Sequence, residues 1–256
     1  MMNVKKVLMA ILIGLFSVSS ANAVSTEIIV RVKSKDAKFI GSSMGGVLIT
    51  IKDVDTGELL AKGVATGGTG NTQLLMKTPH SPGMILSDEK ASKFKTSIDI
   101  DEPRLVEVSA YGPLAQRQSA NRISTTQWVV PGKHITGGDA WMLELPGLVV
   151  DILEPPAAIK FGNVPEKVEV RANVTMMCGC PITPGGLWDT EKFEIMALLK
   201  KNGKPAKEFP LKYSGQASQF KTSLPVSEKG TYELIVYAYD PANGNTGLDR
   251  ASFIIK

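Results

Sequence analysis

A regular alternation of apolar and polar residues marks the second half of the sequence, in the stretch Val168-Glu169-Val170-Arg171-Ala172-Asn173-Val174-Thr175-Met176. A period of two places the apolar side chains on one face of a β-strand and the polar ones on the other. The pattern returns in Phe193, Ile195, Ala197 and Leu199. Asn202-Gly203 then favours a tight hairpin turn. We therefore predict paired strands with one buried face.

A longer strand pattern follows in Gly230-Thr231-Tyr232-Glu233-Leu234-Ile235-Val236-Tyr237-Ala238-Tyr239-Asp240-Pro241-Ala242-Asn243-Gly244-Asn245-Thr246-Gly247, before a strand that contains Ala251, Phe253 and Ile255. This stretch resembles the final hairpin of bacterial immunoglobulin-like domains, in which a G-x-Y strand ends in A-x-D…GN-x-G. The resemblance covers most of residues 148–256. It implies an immunoglobulin-like β-sandwich and carries little information about function.

The first half shows further short strand patterns separated by turn residues. They cover residues 28–33, 47–52, 59–64, 94–100, 105–111, 125–130 and 141–145. About seven strands are typical of a sandwich. Residues 46–61 contain a strand, a D-x-x-TG turn and a second strand, and this arrangement resembles the opening hairpin of transthyretin-like or carboxypeptidase-regulatory-like β-sandwich modules.

The pair Pro146-Gly147 indicates a boundary, because one strand pattern ends before it and another begins after it. We predict an all-β protein with two antiparallel β-sandwich domains, at residues 24–146 and 147–256. Little linker is left between them, so we expect the two domains to touch.

The first residues have the three parts of a secretory signal peptide. Lys5 and Lys6 precede an apolar run from 7 to 18, and small residues stand at Ala21 and Ala23. We expect residues 1–23 to be cleaved after Ala23, and the protein to be periplasmic or extracellular. The apolar run is too short to span a bilayer, and we predict no transmembrane segment.

Charge and motif content exclude several functional classes. Residues 1–23 hold two lysines and no acids, so their removal lowers the formal charge from +4 to +2. The remaining basic residues form no run, which argues against nucleic acid as a partner. The sequence contains no H-E-x-x-H and no phosphate-binding loop before a helix. We therefore predict that the protein is not an enzyme and has no small-molecule substrate.

The unusual motif is Cys178-Gly179-Cys180, which holds both cysteines and follows Met176 and Met177. If the strand kept its phase, both sulfurs would lie on the face of Met176. A disulfide would require the chain to fold back at Gly179, because residues i and i+2 of an extended strand are too far apart. Thiolates and thioethers are also ligands for Cu(I). A disulfide or buried thiols, a metal site and a redox pair all stay open.

A second set of soft ligands is Met76, His80 and Met84, in a loop interrupted by prolines. Exported copper-handling proteins use methionine and histidine in such loops. The alternative is that these three residues are unrelated loop residues, because nothing in the sequence fixes their geometry.

Two functional hypotheses follow. The first is an exported, non-catalytic accessory protein that binds a protein partner or forms a homo-oligomer, since strand edges and loops suit such contacts. The alternative is a periplasmic copper-binding or copper-delivery protein that uses Cys178 and Cys180. A thiol oxidoreductase would be expected to carry C-x-x-C at the start of a helix, and this sequence does not.

Overall fold

The computed structural model describes residues 22–204 and 207–256, and strands dominate this part of the chain. The strands are, in chain order, β1 (Val24–Ser34), β2 (Val47–Asp53), β3 (Leu59–Ala65), β4 (Phe94–Ile100), β5 (Arg104–Gly112), β6 (Asn121–Val129), β7 (Trp141–Leu145), β8 (Leu148–Glu154), β9 (Lys160–Phe161), β10 (Lys167–Met176), β11 (Glu194–Lys201), β12 (Glu208–Pro210), β13 (Lys212–Tyr213), β14 (Gln219–Pro225), β15 (Gly230–Asp240) and β16 (Asn245–Ile255). The predicted all-β class is confirmed.

Helical turns are few and short in the described residues. They are the α-helix α1 (Thr72–Met76) and three 3-10 turns at Ser42–Met44, Arg117–Ser119 and Thr190–Lys192. Within the described ranges, no helix has the length and apolar character that a membrane span requires. The predicted signal peptide lies outside the described residues, apart from Asn22 and Ala23.

The first half forms a three-stranded sheet in the order β4-β1-β7 and a four-stranded sheet in the order β3-β2-β5-β6. All seven strand segments predicted from this half are present. The pairings are antiparallel, with the exception of β1 and β7, which run parallel. The segment before β7 already runs beside β1, through a parallel bridge between Ile28 and Ile135, and so delivers β7 in the same direction.

The D-x-x-TG turn between β2 and β3 is held by its first residue. Asp53 Oδ1 accepts the backbone N–H groups of Thr56 (2.8 Å) and Asp55 (2.9 Å). The hydrogen bond from Thr56, together with that from Asp55 and the charge of Arg104, lowers the pKa of Asp53 below its ordinary value. This motif therefore has a clear structural role in the hairpin.

The second half forms sheets in the orders β13-β14-β10-β8 and β12-β11-β15-β16-β9. The prediction that one face of β10 is buried is confirmed. Its apolar residues are all buried, namely Val168, Val170, Ala172, Val174 and Met176. The predicted final hairpin is β15 and β16, antiparallel from the pair Gly230 and Ile255 to the pair Asp240 and Asn245. The short strand β9 joins the edge of this sheet in parallel.

Two large apolar clusters fill the molecule. One contains residues of the second half such as Val170, Leu234 and Phe253. The other contains residues of the first half, together with Val149 and Met177 from beyond the predicted boundary. We propose that residues 24–146 and 147–256 are two domains with one core each, and that Val149 and Met177 of the second domain pack in the core of the first.

Buried polar contacts connect the two halves. Ser119 of the first half is 8% exposed, and its hydroxyl accepts the N–H of Val150 (3.0 Å) and donates to the carbonyl of the same residue (3.1 Å). At the surface, Asn243 Nδ2 also donates across the halves, to Asp36 Oδ2 (2.7 Å). Because buried polar groups are costly when unpaired, these contacts favour one arrangement of the two halves.

Candidate functional site

The Cys-Gly-Cys motif lies in a tight turn at the end of β10. The N–H of Met176 donates to the carbonyl of Cys180 (3.1 Å), and the N–H of Gly179 donates to the carbonyl of Met176 (2.8 Å). Gly179 has φ +76°, a left-handed conformation that glycine adopts without steric cost. The chain therefore reverses direction here, instead of continuing the strand.

This reversal brings the two cysteines together, and their sulfurs are bonded to each other as a disulfide. Cys178 is 2% exposed and Cys180 is 5% exposed, and both pack in the second-half core together with Met176. Within residues 22–204 and 207–256, no group of three or more His, Cys, Asp or Glu side chains is arranged so that it could hold a metal ion. A disulfide offers no thiolate, so metal binding at this turn would require its reduction.

The neighbouring methionines separate. Met176 belongs to the core of the second half, whereas Met177 turns into the core of the first half. A Cβ added to Gly147 would lie 2.1 Å from Met177 Cε, so the side chain passes directly over that glycine. The sequence gives no reason to distinguish the two methionines. In the structure, only Met176 lies in the apolar cluster that contains the cysteines.

A third methionine, which the sequence does not connect with the motif, lies against the turn. A Cβ added to Gly179 would be 2.7 Å from Met44 Sδ, so this thioether packs directly on the turn. Met44 ends the 3-10 turn Ser42–Met44 and belongs to the first-half core. No local pattern signals this contact, because the two residues are far apart in sequence and meet through tertiary packing.

Trp188 contacts both halves of the chain. It packs against the second-half core, and its indole Nε1–H donates to the carbonyl of Asp36 (3.0 Å). The indole therefore binds the two halves together as well as covering apolar side chains.

The second predicted set has separate local contacts. Met76 ends α1 and packs on a small cluster that contains Phe39. The imidazole Nε2–H of His80 donates to the carbonyl of Leu74 (3.1 Å). Met84 lies half-buried in a turn. The structure shows no contact that joins these three side chains.

A different surface stands out in the structure, the strand β6. It is the last strand of the sheet β3-β2-β5-β6, and no other strand of the described chain pairs with its outer edge. Seven of its nine residues are exposed, and Trp128 is 64% exposed. The strand holds one charged residue, Arg122, and no proline. Sequence reasoning identified the strand, but nothing local shows that it is an edge.

The backbone direction of β6 follows from its neighbours. The carbonyl of Leu105 bonds to Val54 on the β2 side, so the next residue of β5, Val106, points toward β6 and its partner Gln127. In an antiparallel ladder, the backbone N–H and C=O groups of successive residues point alternately to one neighbouring strand and to the other. The N–H of Arg122 is consistent with an outward direction, because it bonds to the side chain of Asn121 and not to β5. The outward backbone groups are therefore those of the even-numbered residues, namely Arg122, Ser124, Thr126 and Trp128.

Both faces of β6 are fixed by side chains. Thr125 Oγ1 accepts the indole N–H of Trp141 (2.8 Å) on the inner face. On the outer face, the Arg122 guanidinium lies 5.4 Å from the centre of the Tyr111 ring. A cation over an aromatic face is attracted by the ring quadrupole. The strand is thus held in place while its outer edge stays open.

Comparison with known proteins gives no match to a family model and no match among curated proteins. Among solved structures, the chain aligns with fibronectin(III)-like modules of Clostridium thermocellum CbhA at 13% identity, with 90% of this chain and 86% of that chain covered and a TM-score of 0.28. It aligns with the chicken interferon gamma receptor alpha chain at 12% identity, with 82% and 84% covered and a TM-score of 0.29.

An engineered protein solved by the Northeast Structural Genomics Consortium aligns at 16% identity and a TM-score of 0.32, over 46% of this chain and 22% of that chain. The chain therefore spans about a fifth of that protein's length. Fibronectin(III)-like modules are thus among the solved structures to which this chain is similar. Because these TM-scores are low, the fold of this chain is defined by its own strand pairing and not by its similarity to these structures.

Proposed function

We propose that the chain is an exported, non-catalytic accessory protein that acts by binding a protein, and that the outer edge of β6 is its contact surface. The observation that carries this proposal is the long, exposed edge strand with outward backbone donors and acceptors. An extended segment can pair with such an edge, and main-chain hydrogen bonds then supply the affinity.

Trp128 adds a side-chain anchor to this edge. Tryptophan is enriched among residues that dominate binding energy at protein interfaces, because its indole removes a large area from water. Here the ring is exposed beside the outward backbone groups of Thr126 and Ser124. A partner strand could bond to the backbone and cover the indole at the same time.

The proposal is tested by placing a photo-crosslinking amino acid at position 128 in the full-length protein, expressed in intact bacterial cells. We expect a specific crosslinked band from position 128. The matched control is position 59 on the other edge strand β3, where Leu59 is also exposed, at 53%. Equal crosslinking at both positions, or recovery of monomer alone, would overturn the proposed contact surface.

Export is tested separately. Cell fractionation should place the mature chain outside the cytoplasm, and N-terminal sequencing should begin at Val24, because cleavage is expected after Ala23. Full-length protein in the cytoplasm would contradict this part of the proposal.

A second candidate function, copper binding or delivery, is favoured by one observation. Met44 Sδ lies on the turn that carries Cys178 and Cys180, and Met176 lies in the same core as both cysteines. If the disulfide is reduced, two thiolates and two thioethers would be available, and such soft ligands suit Cu(I).

The test is a Cu(I) competition titration of the reduced protein. We expect weaker binding in Cys178→Ser, Cys180→Ser and Met44→Leu, and unchanged binding in the matched control Met177→Leu, because Met177 passes over Gly147 whereas Met44 lies on Gly179. Equal affinity in the wild type and both cysteine variants would reject the site. The second predicted set is tested in the same titration by His80→Ala, with loss of a separate binding event expected if Met76, His80 and Met84 bind copper.

A further inference from the structure

The edge strand β6 is self-complementary, and we propose that its partner is the β6 strand of a second copy of this chain. The two strands pair antiparallel about a two-fold axis at Thr125. This inference rests on the proposed function and names the partner of the same edge.

Within the described residues, β6 lacks the features that normally protect an edge strand. Natural sheet edges are shielded by lysines, prolines, bulges or covering segments. The other edge of the same sheet, β3, follows this rule, since it carries Lys62 and the Phe94 ring lies directly over Gly63. A bulge also interrupts its register with β2. None of these features occurs along β6 within the described residues.

The backbone of β6 determines which of its residues a second strand can bond to. The outward N–H and C=O groups belong to Ser124, Thr126 and Trp128, so a second strand must bond to even-numbered residues. A two-fold axis at Thr125 pairs Ser124 of each copy with Thr126 of the other. Each of these residues then exchanges hydrogen bonds with an outward residue of its partner, as an antiparallel ladder requires.

The side chains of β6 favour this register over the neighbouring ones. The axis at Thr125 places Arg122 of each copy opposite Trp128 of the other copy, on the outer face of the joined sheet. Arg122 already lies over the Tyr111 ring, at 5.4 Å from its centre. The guanidinium would then lie between two aromatic rings, an arrangement that cation–π attraction favours. The single charge of the strand never meets its own copy, so like-charge repulsion is avoided.

The expected assembly is a continuous sheet that joins the four strands of one copy to the four strands of the other. A symmetric contact of this kind closes as a dimer and leaves no edge of β6 for further addition. The interface consists of one strand per copy, so we expect it to be modest in affinity.

The experiment is sedimentation velocity of the purified mature protein from about 1 μM to 1 mM, with variants at the centre of the strand. We expect concentration-dependent dimerisation of the wild type. Thr126→Pro should weaken dimerisation at least tenfold, because it removes an outward N–H. It should leave the monomer folded, because the bonds from β6 to β5 stay intact. The matched control Thr126→Val keeps the backbone donor and should dimerise like the wild type.

A cysteine crosslink reports the register. The Cβ atoms of two Thr125 residues across the axis would be about 4.5–5.5 Å apart, so Thr125→Cys should form a disulfide between copies on mild oxidation. Ser124→Cys should not, because Ser124 faces Thr126 of the other copy. The native cysteines are bonded to each other and buried, and do not compete. Circular dichroism of each variant confirms that it is folded.

The outcomes separate this inference from the proposed function. A monomer throughout the concentration range, a dimer insensitive to Thr126→Pro, or crosslinking through Ser124→Cys instead of Thr125→Cys would overturn self-pairing. If the purified chain is monomeric while position 128 still crosslinks to another protein in cells, self-pairing fails and the proposed function holds. If position 128 crosslinks to nothing, both fail.

Discussion

The Cys178-Gly179-Cys180 turn and the strand β6 are opposites in sequence and in structure. The turn contains the most unusual residues of the chain, yet its cysteines are buried in the second-half core. Strand β6 is composed of ordinary polar residues, yet most of it is exposed. An unusual motif in the sequence therefore does not indicate an accessible surface. Substitutions in the turn should lower the stability of the fold, whereas substitutions in β6 should weaken binding and leave the fold stable.

The largest effect on stability is expected for Met177→Ala. Met177 is 1% exposed in the first-half core, and truncation of a buried methionine costs about 2–5 kcal/mol in the free energy of unfolding. Urea denaturation measures the loss. Hydrogen exchange should rise more in β2 and β5 than in β15.

The matched variant Met176→Ala removes the preceding side chain from the other core. It should have a similar cost, with faster exchange in β15 in place of β2. Identical exchange patterns in the two variants would contradict the proposed division into two cores.

A smaller loss, about 2–3 kcal/mol, is expected for Gly179→Ala. The left-handed backbone costs an alanine about 1–2 kcal/mol, and the added methyl group must also displace Met44 Sδ. Gly185→Ala is the control, because Gly185 has φ +65° with nothing within 4 Å of the added carbon. Thermal unfolding of both variants should show the greater loss at Gly179. Equal losses would mean that Met44 does not press on the turn.

Reduction of the disulfide should cost still less, about 1.5 kcal/mol, because the ring it closes is very short and removes little entropy from the unfolded chain. Urea denaturation with and without reductant measures this difference. The double variant Cys178→Ala/Cys180→Ala should not respond to reductant. A loss above about 4 kcal/mol would contradict the small entropic contribution expected of so short a ring.

The smallest effect on the fold is expected for Trp128→Ala. The indole is 64% exposed, and substitution at such a surface position changes stability by about 0.5 kcal/mol or less. The same variant should weaken dimerisation in sedimentation, because it removes the ring opposite Arg122. Marked destabilisation of the monomer would show that Trp128 belongs to the fold and not to a contact surface.

Most strands could be predicted from the sequence, because alternation and turn residues act over a few neighbouring positions. Val168 to Met176 forms β10 with the predicted face buried, and the stretch from Gly230 forms the predicted hairpin. The short strand β9 has no such pattern. It exists because the last residues of β16, Ile254 and Ile255, offer a parallel edge to Lys160 and Phe161.

The candidate sites were predictable only in part. Gly179 indicated that the chain could reverse between the cysteines, since a disulfide at this spacing requires it. Met44 could not be connected with them, because it arrives from the other half of the chain. Met177 could not be separated from Met176, because strand phase ends where the turn begins.

The sequence by itself determined the all-β class and the positions of most strands, because side-chain alternation and turn preference are local properties. Tertiary structure decided which strand became an open edge. Whether β6 is central or terminal depends on which strands lie beside it, and β7, the next strand along the chain, pairs with β1 in the other sheet instead. Strand pairing joins distant parts of the chain, so no local pattern in β6 could reveal that its outer backbone groups face solvent.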